Sequence, residues 1–125
     1  MIQIYPLSAI GEVRPGDDLA RLLADAVTDI GVDPIGSDVL VVTQKIVSKA
    51  QGRFVELVTV TPGPRALELA EVTRKDPRLV ELVLSESSDV IRAVPHVLIT
   101  RHRSGHVMAN AGIDRSNIGD RKSVV

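Results

Sequence analysis

No cysteine occurs anywhere in the 125 residues. That absence excludes a disulfide scaffold, a zinc-thiolate site, an iron–sulfur cluster and thiol catalysis together. Aromatic rings are scarce as well: Tyr5 and Phe54 amount to 2% of the chain, so the core must be aliphatic and ring stacking cannot dominate a ligand site. Neither sign of charge prevails, with 15 Lys and Arg against 16 Asp and Glu. A net charge of −1 removes the electrostatic case for generic nucleic-acid binding, which needs a basic excess to displace counterions. No apolar run approaches the roughly 18 residues that a membrane span requires, and Met1-Ile2-Gln3-Ile4 lacks the basic start of a signal peptide. The expectation is a soluble, cytoplasmic protein with neither nucleic-acid nor membrane partners. What is present is ordinary: 44% hydrophobic and 25% charged residues, the balance of one globular domain spanning 1–125 around a single core.

Ile2, Ile4 and Tyr5 read as a short opening strand stopped by Pro6. Gly16-Asp17-Asp18 then opens a helix, with Asp17 placed to cap free N–H groups and both carboxylates suited to the positive end of the dipole. Leu19, Leu22, Leu23, Ala26, Val27 and Ile30 form one apolar stripe, and Gly31 ends it. Asp38-Val39-Leu40-Val41-Val42-Thr43 is a β-branched run that predicts a strand buried on both faces. A second strand is predicted over 54–60, then helices over 65–74 and 77–86, the latter with Asp76 as cap and Pro77 at the first helical position. Val97 to Thr100 and His106 to Asn110 predict two strands around a turn at Arg103-Ser104-Gly105. The final Lys122-Ser123-Val124-Val125 is strand material whose edge another chain or further sequence must cover. Together these elements predict an α+β fold, a mixed or antiparallel sheet packed with a few helices.

Three polar segments interrupt the apolar pattern: Ile10-Gly11-Glu12-Val13, Gln44 to Arg53, and Ala109 to Asn117. None is a Walker loop, a dinucleotide fingerprint or an HExxH helix, and no serine has a nucleophile elbow around it. The middle segment offers Lys45, Ser48, Lys49 and Arg53, cations and donors of the kind a polyphosphate needs. The plain alternative is that Lys45 and Lys49 are solvated surface lysines. The last segment carries Asn110, Asp114, Ser116 and Asn117 around Gly112, with Asp114 its only acid before Asp120. A hard divalent cation wants such oxygen ligands, although an Asx-turn would use Asp114 equally well. His102 and His106 flank the hairpin turn; they are either exposed hairpin histidines or, with Asp114, the triad of a metal-dependent hydrolase. The residues alone point to a phosphate or metal site of unspecified type.

Four stretches, taken in order, resemble a known family. They are Gly16-Asp17-Asp18-Leu19, then Val41-Val42-Thr43-Gln44-Lys45-Ile46-Val47-Ser48-Lys49-Ala50-Gln51-Gly52-Arg53, then Asp76-Pro77-Arg78-Leu79-Val80, then Ala109-Asn110-Ala111-Gly112-Ile113-Asp114-Arg115-Ser116-Asn117. They resemble the N-terminal part of the coenzyme F-420-0:L-glutamate ligases (γ-glutamyl ligases). The resemblance implies the N-terminal portion of the γ-glutamyl ligase fold and a homodimeric enzyme that depends on GTP and on Mg²⁺ or Mn²⁺. Such an enzyme adds L-glutamate to a deazaflavin precursor, and further glutamates through γ-linkages. The resemblance further implies that Ile10, Gly11, Glu12 and Val13 form a nucleotide-contacting turn. Gln44 would line the nucleotide pocket, Lys49 would contact the GTP phosphates, Asn117 would touch the nucleotide, and Asp114 would be a metal ligand. Two positions depart from the family: Gly11 stands where Pro is common, leaving the turn less preorganised, and Gln51 replaces a more usual Glu. The family's catalytic module also continues past Asn117, with further metal-binding acids in its later part. One carboxylate, Asp114, does not complete a metal shell without water and phosphate. The 125 residues by themselves are therefore expected to have weak or no ligase activity, the alternative being a non-catalytic nucleotide-binding or assembly module.

Overall fold

The computed structural model describes residues 1–115 and 122–124, in two compact units, Met1–Arg53 and Phe54–Val125. The first unit contains helices α1 (Leu19–Asp29) and α2 (Gln44–Ala50). Along α1 the stripe Leu19, Leu22, Leu23, Ala26, Val27 and Ile30 is buried or half-buried, while Arg21, Ala24, Asp25, Thr28 and Asp29 are exposed. The burial therefore follows the apolar periodicity. The cap is one residue later than the sequence suggested. Asp18 accepts from the Arg21 N–H at 3.1 Å, and Asp17 instead accepts from the Arg14 N–H at 2.7 Å, closing the preceding turn. Gly31, at φ 69, ends the helix in the left-handed conformation that glycine adopts without a Cβ penalty.

Neither apolar strand predicted in this unit forms. Residues 1–6 and 39–43 have no strand pairing, and Ile2, Ile4, Val39 and Val41 are exposed. A β-branched run says that a segment suits a pleated surface, but a ladder needs a second backbone, and no described residue supplies one. Where the chain was expected to run on from a strand, it turns at Thr43 into α2, whose Gln, Lys and Ala residues are good helix formers.

The second unit runs β1 (Phe54–Glu56), a 3₁₀ turn (Leu57–Thr59), α3 (Pro64–Thr73), α4 (Pro77–Glu86), β2 (Ser87–Val94), β3 (Val97–His102), β4 (Val107–Ala109), a second 3₁₀ turn (Asn110–Gly112) and β5 (Lys122–Val124). Strands β2, β3 and β4 form an antiparallel sheet in that order, and β1 pairs antiparallel with β5. The fold is α+β, with both sheets antiparallel. The strand expected over 54–60 stops at Glu56. There the Thr59 hydroxyl donates to the Glu56 carbonyl at 2.8 Å, a local bond that competes with the ladder, and Leu57 turns inward. Strand β2 has no counterpart in the sequence reading. It leaves α4 without a breaker, and its register with β3 shifts between Ser87 and Asp89 and again between Val90 and Arg92, so the alternation that would betray a strand is lost.

The core of this unit joins Ala66 and Ala70 of α3, Leu79, Val80, Leu82 and Val83 of α4, Leu98 of β3, and Leu57, Ala111 and Ile113. Both helices begin with Pro in the first turn, where a missing N–H costs nothing. Helix α4 is capped by Asp76, as the sequence indicated. Helix α3 is tied to α4 by Glu81, whose Oε2 accepts from the Gly63 N–H at 2.7 Å.

Candidate functional site

Within the first unit, the fold brings the Ile10–Val13 segment, which forms no turn of its own and lies between turns at 8–9 and 15–16, to the end of α2. The Gly16 N–H donates to the Ala50 carbonyl at 2.9 Å. Gly52, at φ 67, lies where a Cβ would stand 3.5 Å from the Pro15 Cβ. Val13 and Ser48 are buried and anchor the two segments. Between these anchors Glu12 Oε1 stands 4.0 Å from Lys49 Nζ.

The two partners differ in exposure: the Lys49 side chain is 13% exposed and that of Glu12 is 74% exposed. Lys49 is therefore not a solvated surface lysine. Its side chain is largely covered, and its ammonium stands beside an exposed carboxylate. Gln44 opens α2 and is exposed, about 140° around the helix from Lys49 at 3.6 residues per turn. Gly11 has nothing within 4 Å of where a Cβ would stand, so the segment does not demand glycine there.

In the second unit, Asn110 (φ 51), Ala111 (φ 51) and Gly112 (φ 75) are three consecutive left-handed residues. Two of them carry a Cβ, and each such residue costs on the order of 1–3 kcal/mol. The turn holds because Ala111 and Ile113 are buried in the core and the Ile113 N–H donates to the Asn110 carbonyl at 2.9 Å. Asp114 follows directly and is half-buried. The Asn110 Oδ1 is buried without a hydrogen-bond partner, an amide oxygen of the type that a hard cation accepts as ligand. An amide oxygen and a carboxylate are donor types that would suit Mg²⁺ or Mn²⁺. Among the described residues no group of three or more His, Cys, Asp or Glu could hold a metal ion, so a triad of His102, His106 and Asp114 does not form. Asn117, with Ser116 and Asp120, lies outside the described residues.

The two hairpin histidines converge instead on Ser104. Its Oγ is 2.8 Å from His102 Nδ1 and 2.9 Å from His106 Nδ1, and His102 Nε2 is 3.5 Å from Glu86 Oε2. The sequence named both histidines but not Ser104 or Glu86. The Arg-Ser-Gly turn was the available signal for the serine, whereas nothing local announces Glu86. Elsewhere, the Arg78 guanidinium hydrogen-bonds to Asp76 through Nε at 3.1 Å and Nη2 at 2.7 Å. These bonds hold the Asp76 carboxyl below its usual range, against the opposing effect of burial, and raise Arg78 in turn. The Asp76-Pro77-Arg78 stretch is thereby accounted for as a helix cap.

Residues 9–125 match the sequence profile of a family described as F420-0:gamma-glutamyl ligase. The chain is 45% identical over 119 residues to a Coenzyme F420:L-glutamate ligase of Methanothermobacter thermautotrophicus, covering 95% of this chain and 47% of that protein. It is 43% identical over 116 residues to the ligase of the same name from Methanopyrus kandleri, covering 93% and 44% respectively. It is 44% identical over 121 residues to that of Halobacterium salinarum, covering 92% and 46%. The chain thus spans about half the length of the curated relatives it matches. No helix among the described residues is long and apolar enough to cross a membrane.

Proposed function

This chain belongs to the F420-0:gamma-glutamyl ligase family, and on that basis we propose that it carries the nucleotide-binding portion of a ligase joining L-glutamate to the deazaflavin precursor of coenzyme F420. The reaction depends on GTP and on Mg²⁺ or Mn²⁺, and the protein works in the cytoplasm as a homodimer. A carboxylate is a poor electrophile. Transfer of the GTP γ-phosphoryl group to the acceptor carboxylate makes an acyl phosphate and releases GDP. Attack by the glutamate amine then forms the amide, with loss of a proton and departure of phosphate. Such a sequence needs positive charge around phosphate oxygens more than it needs a protein nucleophile.

In this reading Lys49 contacts the phosphates, Ile10 to Val13 and Gln44 line the nucleotide, and Asn117 touches it. Asp114 holds the metal, which when bound neutralises phosphate charge, and the Asn110 Oδ1 is a candidate further oxygen ligand. The observation that carries the proposal is the covered Lys49, its Nζ 4.0 Å from Glu12 of the Ile10–Val13 segment. By itself the chain transfers glutamate weakly or not at all. The second reading is a non-catalytic nucleotide-binding or assembly module; a glutamyl-transfer assay with the precursor separates the two.

Lys49→Ala tests the shared premise of both. Loss of one charge-assisted phosphate bond, about 1.5–3 kcal/mol, weakens equilibrium binding of GTP with Mg²⁺ by roughly 10- to 150-fold. Unchanged affinity in a folded variant would show that Lys49 does not touch the nucleotide.

A further inference from the structure

We propose that residues 39–43 are a docking strand, covered by a β-strand from the half of the family fold that this chain does not span. Val39, Leu40 and Val41 are 83%, 52% and 86% exposed, and Val42 is half-buried. Exposure thus rises and falls with a period of two, as it does along an extended segment whose alternate residues face opposite ways. Thr43, at the end of the run, has extended backbone angles, φ −75 and ψ 144. The segment is shaped as a strand and lacks only a neighbour.

Its edge is also unguarded. Strands that stay at the rim of a sheet are blunted by charge, proline or a bulge. Residues 39–44 contain no charged residue, proline or glycine. A run of branched apolar side chains left in water in this way marks a surface that another polypeptide covers.

The pattern also selects the occupant. Branched apolar residues on both faces belong to a strand inside a sheet, with a neighbour along each edge and a layer over each face. The same strand from a second copy, related by a two-fold axis, pairs along one edge only and leaves both faces wet. The rest of the family fold has no such limit. The chain matches its relatives over 92–95% of its own length but covers only 47%, 44% and 46% of theirs. More than half of each relative is therefore left to supply the neighbouring strand and its cover. Main-chain bonds along the edge would give affinity, and the alternating side chains would fix the register. Docking requires no nucleotide, so it stands or falls apart from the proposed ligase chemistry.

The test is amide hydrogen exchange, in the absence of nucleotide and metal. It compares the chain alone with the chain co-expressed with the part of the Methanothermobacter thermautotrophicus ligase that it does not match. Residues 39–43 are expected to exchange freely in the chain alone. Co-expression is expected to give a one-to-one complex in which their exchange slows at least about tenfold. V41K alters an exposed side chain of the free chain and is expected to weaken the complex at least about tenfold, because docking would bury an unpaired ammonium. V41I, which keeps a branched apolar side chain, is expected to retain it. The intact relative supplies a second reading: its residues aligned with 39–43 should exchange at least about tenfold more slowly than those of this chain. Slow exchange in the chain alone, with the mass of a dimer, assigns the run to a second copy and overturns the proposal. Free exchange of the aligned residues in the intact relative, or wild-type affinity in V41K, overturns it as well.

Discussion

Replacing Asp76 by alanine isolates what holds the N-terminus of α4, the helix that buries Leu79, Val80, Leu82 and Val83. Two interactions are lost. The cap bond from the Arg78 N–H, 2.9 Å, is worth about 1 kcal/mol and up to about 2. The ion pair with the Arg78 guanidinium joins side chains 21% and 45% exposed, and a pair so wetted contributes about 0.2–1 kcal/mol. D76A is therefore expected to lower the stability of the second unit by about 1–3 kcal/mol in urea unfolding at pH 7. D76N keeps an acceptor for the cap and loses only the charge, so its cost stays below about 1 kcal/mol.

The two variants also separate in acid. Because Arg78 depresses the folded Asp76 pKa, the stabilisation from its charged form is complete above the unfolded carboxyl value, about 3.9. It is lost as pH falls through the lower folded value. The gap between wild type and D76N must accordingly shrink below about pH 4. Equal urea midpoints for wild type and D76A at pH 7, or a gap to D76N that widens in acid, would refute this account of the helix terminus.

Two further expectations concern stability. E81A removes the carboxylate that accepts the Gly63 N–H at 2.7 Å and should cost about 1.5–3 kcal/mol in the same unfolding assay, with E81Q losing less. G52A forces a Cβ onto a φ of 67 beside Pro15; a cost of about 1–2 kcal/mol should appear as faster hydrogen exchange along α2, with the second unit unaffected.

The elements legible in the sequence are those whose signals are local. Helices α1, α3 and α4 carry their own stripe, prolines or caps, and the β3–β4 hairpin carries Arg-Ser-Gly at its tip. What escaped depends on distant partners. The run Val39 to Thr43 has the composition of a buried strand yet finds no ladder, because pairing is a property of two segments. Strand β2 hides behind two register shifts. The candidate site divides the same way. Lys49 and Asp114 stand out by residue type, but the cover over Lys49, the nearness of Glu12 and the left-handed turn before Asp114 come only from the fold. The meeting of His102, Ser104 and His106 needed the hairpin closure, and Glu86 needed the unforeseen passage from α4 into β2.

The central claim is that residues of this chain hold a nucleotide and its metal together. Paramagnetic broadening of the GTP phosphorus signals by Mn²⁺, measured with the chain and with its D114N variant, tests it most directly. The chain should form a GTP–Mn²⁺ complex whose metal affinity drops on replacement of Asp114, in step with the loss of one hard oxygen ligand. Identical Mn²⁺ affinity in chain and variant, or no complex beyond that of GTP and Mn²⁺ in buffer, would contradict it.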